Sequence, residues 1–403
     1  MRERNRILRE ADRLRDEDVP AVVATIVEID GSSYRLEGAR MLVRPDGTYV
    51  GTISGGCLEG EVAERATAVL ETGRPELVTL EQQEGEDPFG FGSGCGGTIH
   101  VLLEPFRGEP DAPGVLSLVR QCVEERSAGA LATVYRTAGT LRGETGRHLL
   151  VTPWAPSGRG DIEADALRTA VADDAAGALR EGRALRTSYS LPQGRADVLI
   201  EHVEPPLRLL VFGEEHDVEP LVAQATLLGW EPVVIGGSPA PDLEERFPGA
   251  AGHVSLPHPE EVADTLSRVG GRDAAVAMSH NYIRDRAVLR FLLRSDAGYV
   301  GALGARSRLE RLAEDFAEGD TPADRAARDA MADGQLYAPV GLDIGAETPE
   351  EIALSIAAEV QAVFAGAGGG FLSEGTGRIH PPEVRPETTE PTAASADGDP
   401  TAP

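Results

Sequence analysis

Residues 208–237, RLLVFGEEHDVEPLVAQATLLGWEPVVIGG, restrict the fold more than any other stretch. A short apolar run, a turn, an amphipathic segment and a second apolar run follow in close succession. A strand, a turn, a helix and a second strand make a βαβ opening, the unit from which parallel sheets covered by helices on both faces are built. The alternation continues through DAAVAMSH (273–280), IRDRAVLRFLLRS (283–295), GYVGALGA (298–305) and a helical SRLERLAEDF (307–316). PEEIALSIAAEVQAVFAG (349–366) closes the series as a helix, with Thr348 as N-cap and Pro349 at the first helical position. The second half of the chain is therefore expected to be a Rossmann-like parallel α/β domain.

A dinucleotide site on such a domain wants G-x-G-x-x-G after the first strand and an acid after the second. Here the first turn is Gly213-Glu214-Glu215-His216, and the second strand ends Val233-Val234-Ile235-Gly236-Gly237 with no acid. Two carboxylates over the pyrophosphate seat argue against nicotinamide binding. His216 and His280 stand just past strand ends, where open α/β sheets bind ligands. A lone histidine there is more often a packing or capping residue.

The first half carries a different signal. GTISGGCLEG (51–60) reads as a strand end, a glycine corner and a helix start. Ser54-Gly55-Gly56 can take backbone angles closed to other residues. Cys57 then falls at the start of EGEVAERATAVLETG, where unpaired N–H groups and the helix dipole favour anions and thiolates. The corner is expected to offer an anion seat beside a soft metal ligand. A buried cysteine at a tight turn is the plain alternative. A second thiol, Cys95, sits in GSGCGG with Gly96 and Gly97, at the end of an acidic loop (81–97).

Around these motifs lie a helix over 3–16, an internal strand AVVATIVEI (21–29), a loop GSSYRLEG (31–38) and a hairpin turning at Pro45-Asp46-Gly47. Strands follow at 76–81, 98–105 and 130–137, and helices at 111–127 and 165–182. Cys122 lies in a helical pattern and is expected in the core. The section 141–204 is less legible, with strand-like HLLVT (148–152) and ADVLIEHV (196–203). Glu204-Pro205-Pro206 reads as a stiff linker. The domains are expected at 1–204 and 205–368, with 369–403 a disordered tail rich in Pro, Thr and Glu.

Composition excludes several function classes. The 403 residues carry a net charge of −29, and all 38 basic residues are arginine. No basic patch is available for nucleic acid. Without lysine there is neither Schiff-base chemistry nor a P-loop. Acidity without lysine fits a cytoplasmic protein of a salt-rich, halophilic cell. Three cysteines make no disulfide framework, and no apolar run reaches the length of a membrane span.

Taken together, GSSYRLEGARMLV (31–43), GTISGGCLEGEV (51–62), GSGCGGTIHVLLEP (92–105), VFGEEHDVEPL (211–221), AVAMSHNYIRDRAVL (275–289), YVGALGARSR (299–308) and APVGLDIGAETPEEIALSIAAEV (338–360) resemble the XdhC/CoxI family, accessory factors for xanthine dehydrogenase and carbon monoxide dehydrogenase. The resemblance implies a mixed α+β XdhC/CoxI domain followed by a Rossmann-like domain. It implies a chaperone that binds the molybdenum cofactor, a molybdopterin, and assists its sulfuration with a cysteine desulfurase. The product is then handed to an apo molybdenum hydroxylase, with no catalytic residue of the chaperone's own. A homodimer is implied by the family alone. Cys57 occupies the family's cofactor-binding cysteine and is the expected metal ligand. Ser54, Gly55, Gly56, Arg40, Cys95, Gly96 and Gly97 are expected around the cofactor, as are Gly213, His216, His280, Gly301 and Gly304 at the strand ends of the second domain. Arg40 and Arg35 would add cationic contacts, or else form surface ion pairs. The sequence departs from the family at Glu214 and Glu215 and at the missing acid after the second strand, which weakens a nucleotide role. The competing reading is an NAD(P)-dependent oxidoreductase built on the second domain.

Overall fold

The computed structural model describes residues 2–31, 33–81, 97–106, 114–266, 268–319 and 321–374. Most of the expected tail (375–403), Cys95 and Gly96 lie outside the described residues. The chain divides into two compact units between Pro205 and Pro206.

The first unit is built twice from the same plan. Its first half runs α1 (Arg2–Asp16), β1 (Ala21–Asp30), β2 (Arg40–Val43), β3 (Tyr49–Gly51), α2 (Glu59–Thr72), β4 (Glu76–Glu81) and β5 (Thr98–Phe106). Its second half runs α3 (Val115–Glu124), β6 (Gly129–Thr137), β7 (His148–Thr152), β8 (Ala155–Gly160), α4 (Asp165–Glu181), β9 (Leu185–Leu191) and β10 (Gly194–Val203), with a 3-10 turn at Gly139–Glu144. The sheets have orders β3-β2-β1-β5-β4 and β8-β7-β6-β10-β9, so each strand of one has a counterpart in the other. All their described pairings are antiparallel. The apolar face of β1 continues through seven consecutive buried residues, Ala21 to Val27, because β1 is central in its sheet.

Register extends the equivalence to single residues. Thr25 faces Arg40 and Leu102, while Thr133 faces His148 and Leu199. Val23 faces Glu104, and Leu131 faces Glu201. A β-bulge leaves Val27 unpaired in β1, and another leaves Tyr135 unpaired in β6. The two bulge residues meet Leu102 and Leu199 in a small buried cluster common to both sheets. One sheet packs on α2 and the other on α4, through separate cores. A third core gathers α1 and α3 with residues of both sheets. Cys122 is fully buried in it, and burial pushes its thiol up to about 11.

Polar bonds between the halves are reciprocal. Arg40 pairs with Glu201, while the counterpart His148 donates from Nε2 to Glu104 at 2.7 Å. Arg136 and Glu28, each just past its bulge and so equivalent, pair with one another at 3.0 Å. Burial opposes charge on His148, but the Glu104 carboxylate outweighs it and raises the imidazole above its ordinary pKa.

The second unit is a six-stranded parallel sheet of order β13-β12-β11-β14-β15-β16. Its strands are β11 (Arg208–Phe212), β12 (Glu231–Gly236), β13 (Gly252–Ser255), β14 (Asp273–Ala277), β15 (Tyr299–Ala302) and β16 (Leu336–Tyr337). The helices are α5 (Val218–Leu228), α6 (Ala240–Arg246), α7 (Val262–Thr265), α8 (Tyr282–Leu292), α9 (Arg306–Glu318), α10 (Pro322–Ala332) and α11 (Pro349–Phe364). α5 and α11 cover one face, and α8, α9 and α10 the other. The strand order reverses between β11 and β14, which is the switch point of a Rossmann sheet. Thr348 and Glu351 close a capping box on α11. Among the described residues, no helix is long and apolar enough to cross a membrane.

Candidate functional site

The corner between β3 and α2 folds around one carboxylate. Glu59, in the first turn of α2, is 1% exposed and turns back under the loop. Its Oε1 accepts the N–H groups of Ile53 (3.0 Å), Ser54 (2.9 Å) and Gly55 (3.1 Å). Its Oε2 accepts those of Gly56 (2.9 Å) and Leu58 (3.2 Å). The Thr52 hydroxyl donates to Oε1 and the Ser54 hydroxyl to Oε2. Ser54 Oγ takes the remaining amide, Cys57 N–H, at 3.1 Å. Burial alone would raise the Glu59 pKa, but these hydroxyl and amide donors bring it down to about 2. The anion seat expected from the sequence is thus filled by the protein's own side chain. The signal was legible: an acid in the first helical turn directly follows a run of glycine amides.

The consequence is a rigid pedestal. Gly55 and Gly56 hold φ of 83° and 122°, angles that favour glycine. A Cβ on Gly55 would lie 3.1 Å from the Tyr34 ring, so the tyrosine rests on the loop backbone while staying 71% exposed. A Cβ on Gly56 would meet open space. Cys57 is exposed on this pedestal, whereas Cys122 is sealed in the core. The plain reading of Cys57 as a buried turn cysteine does not hold.

Other expected contacts are spent elsewhere. Arg40 donates to Glu201 and to the Gly38 carbonyl (3.0 Å), so it ties the two halves together instead of presenting a free cation. Arg35 pairs with Glu3 at 2.5 Å. Gly97 is buried at the foot of β5. Among the described residues, no group of three or more His, Cys, Asp or Glu is arranged to hold a metal ion.

In the second unit, Gly213 is required where β11 and β14 converge, since a Cβ there would lie 2.7 Å from the Met278 carbonyl. His216 is 95% exposed, with Glu219 beside it at 3.8 Å. His280 is placed differently. Its φ is 55°, unusual for a non-glycine residue, and its neighbours pin it. Ser279 Oγ donates to Asp285 at 2.5 Å, and the Asn281 side chain caps α8. The His280 ring donates from Nε2 to Asp217 at 2.8 Å, a bond that spans the loops after β11 and β14. Asp217 was not foreseen as a site residue; its place as the last residue before α5 was the available sign. Gly301 lies within β15, where a Cβ would strike Val340 and Tyr299, so its bareness serves packing. Gly304 has φ of 151° and faces the Arg308 side chain.

Glu214 corrects the sequence expectation. It does not stand over the start of α5; its carboxylate reaches the tip of β12 and accepts Ser238 N–H at 3.0 Å. Gly236 makes room for it, since a Cβ there would lie 2.2 Å from Glu214 Oε2. The acid missing from the end of β12 in sequence is supplied there from the first turn.

Comparison with known proteins agrees with both units. The model described as "XdhC and CoxI family" matches residues 14–81 and 122–190, which fall in the two halves of the first unit. The XdhC Rossmann domain model matches 209–360. The chain is 30% identical to a Bacillus subtilis protein described as a probable xanthine dehydrogenase subunit, over 87% of this chain and 94% of that protein. It is 24% identical to the molybdenum cofactor insertion chaperone PaoD of Escherichia coli, over 85% and 83% of the two chains. A solved structure described as a xanthine dehydrogenase from Bacillus halodurans superposes with a TM-score of 0.65 at 29% identity, covering 89% of this chain and 96% of that one. With this architecture and these relatives, the chain belongs to the XdhC and CoxI family.

Proposed function

We propose that this protein is a molybdenum cofactor-binding accessory factor that serves a molybdenum hydroxylase. The observation that carries the reading is Cys57, exposed on a glycine pedestal that Glu59 locks in shape. The relative described as a molybdenum cofactor insertion chaperone supports it. The cofactor supplies a thiophilic molybdenum held by a pterin dithiolene with a phosphate tail. The residues present fit its metal end: a soft thiol stands in the open, and Gly56 leaves space beside it. They do not fit the phosphate at this corner, because the amides there already serve Glu59. Cys57 is therefore assigned as the metal ligand and Ser54, Gly55 and Gly56 as its support. Tyr34 offers an exposed aromatic face alongside.

Handover to an apo-enzyme of the xanthine dehydrogenase or carbon monoxide dehydrogenase type, sulfuration with a cysteine desulfurase, a cytoplasmic site of action and a homodimer complete the proposal. In the second unit we assign His280 a cofactor contact, since its ring, held by Asp217, stands at the switch point of the sheet. The oxidoreductase alternative is disfavoured by the Asp217–His280 bond across the loops where a pyrophosphate would pass.

The test is the molybdenum content and released-pterin fluorescence of freshly purified protein. Cys57→Ser is expected to remain folded and lose both signals, and Cys122→Ser to keep them. Full retention by a folded Cys57→Ser would end the ligand assignment. A loss confined to Cys122→Ser would move it to the other thiol.

A further inference from the structure

We propose that Tyr34 is the stacking platform for the pterin of the cofactor, a role that rests on the cofactor reading of this corner. With its amides spent on Glu59, the loop before α2 has little to offer an anion. What it presents outwards is a thiol, bare glycine backbone and one aromatic ring. Such a surface suits a flat heteroaromatic ring joined to a soft metal.

The ring is held in place yet left open. On one side, Cδ1 and Cε1 of Tyr34 lie 3.1 and 3.2 Å from where a Cβ on Gly55 would stand, so the ring settles there because residue 55 has no side chain. The residues that follow it are anchored. Arg35 pairs with Glu3 of α1 at 2.5 Å, and Glu37 accepts Ile29 N–H from β1 and Arg186 Nη1 from β9, each at 3.2 Å. Gly38 N–H donates to the Ile26 carbonyl at 2.8 Å. A loop fixed at these points loses little further freedom when a ligand settles on it. Tyr34 nevertheless stays 71% exposed, and Leu36 58%. Covering Gly55 needs only an apolar side chain; the aromatic ring adds a π face on which a pterin can stack. Gly56, between Gly55 and Cys57, adds no side chain, and a Cβ there would meet open space.

The experiment is calorimetry on the full chain with extracted molybdopterin, in its molybdenum-loaded and its metal-free form, with hypochromism of the pterin absorption as the mark of stacking. Wild type and Tyr34→Phe are expected to bind both forms and to show the hypochromism. Tyr34→Leu, which still covers Gly55, should keep its melting temperature, bind both forms about tenfold more weakly and lose the hypochromism at saturation. Cys57→Ser should weaken only the molybdenum-loaded form. Undiminished affinity and hypochromism in Tyr34→Leu would overturn the platform without touching Cys57, and loss of transfer to the apo-enzyme in that same variant would give the ring to a protein partner. A loss in Tyr34→Phe as large as in Tyr34→Leu would also overturn it, because the hydroxyl and not the ring would then make the contact. A loss in Tyr34→Leu beside an unaffected Cys57→Ser would keep the platform and end the thiol assignment. A wild type that binds neither form would overturn both.

Discussion

The two halves of the first unit share strand order, register and bulges, and differ where a strand passes into its helix. Between β3 and α2 the first half spends Ile53 to Leu58 on a loop wrapped around Glu59, with Cys57 exposed. Between β8 and α4 the second half has only Asp161–Ala164. There Glu144, from the 3-10 turn, accepts the N–H groups of Glu163 (3.1 Å) and Ala164 (2.9 Å), and Asp161 accepts that of His148 (2.7 Å). Each half satisfies the approach to its helix with a carboxylate, but only one builds a pedestal with it. The lesson is that the sheets supply a shared frame, and the exposed thiol stands on a loop carried by one copy.

The sharpest way to break this contrast is Glu59→Gln. It leaves five amides and two hydroxyls facing a side chain that is partly a donor, and about 4 kcal/mol of stability should be lost in urea denaturation. Glu144→Gln, its nearest equivalent as the carboxylate that accepts the amides leading into α4, should cost about 1 kcal/mol. Similar losses for both would mean that the two loops do the same work. The Glu59 contribution also has a pH window. Its folded pKa, near 2, lies below the ordinary 4.5, so the stabilisation is present above 4.5 and disappears as pH falls towards 2. Glu59→Gln should flatten that arm of the stability curve.

Next come the bonds between the halves. Arg40→Gln strands the Glu201 carboxylate and should cost about 3 kcal/mol. His148→Gln removes the counterpart bond and should cost about 2 kcal/mol. The His148 pKa is raised on folding, so its contribution is complete below about 6.5 and is lost as pH rises through the higher folded value. A wild-type stability curve without that alkaline arm would show that His148 is neutral in the folded state. The smallest effect is expected from Arg136→Gln. This guanidinium is 44% exposed, and its loss should cost less than about 1 kcal/mol by thermal melting.

Much of the second unit was legible because hydrophobic periodicity and turn residues report directly on a βαβ alternation. Thr348 and Pro349 announced α11 in the same way. The glycine corner was legible as backbone, and Cys122 as core. The duplication was not, because only scattered equivalent positions share a residue type, such as Thr25 with Thr133 and Glu104 with Glu201, while Arg40 answers to His148, and Val27 to Tyr135. Neither letter pattern nor charge links the latter pairs. Glu214 was misplaced for a related reason. A long side chain can act at the end of a neighbouring strand, and the linear motif records only where its Cα lies.

The reciprocal bonds between the halves have the form of a two-fold symmetric dimer interface written within one chain. In a true homodimer every substitution occurs twice, and both sites must accept it. Here each occurs once. One copy can therefore carry a glycine-rich, thiol-bearing lead into its helix while the other keeps a short, ordinary one and anchors it. An asymmetric protein is obtained from a symmetric plan without any loss of the contacts that the symmetry provides.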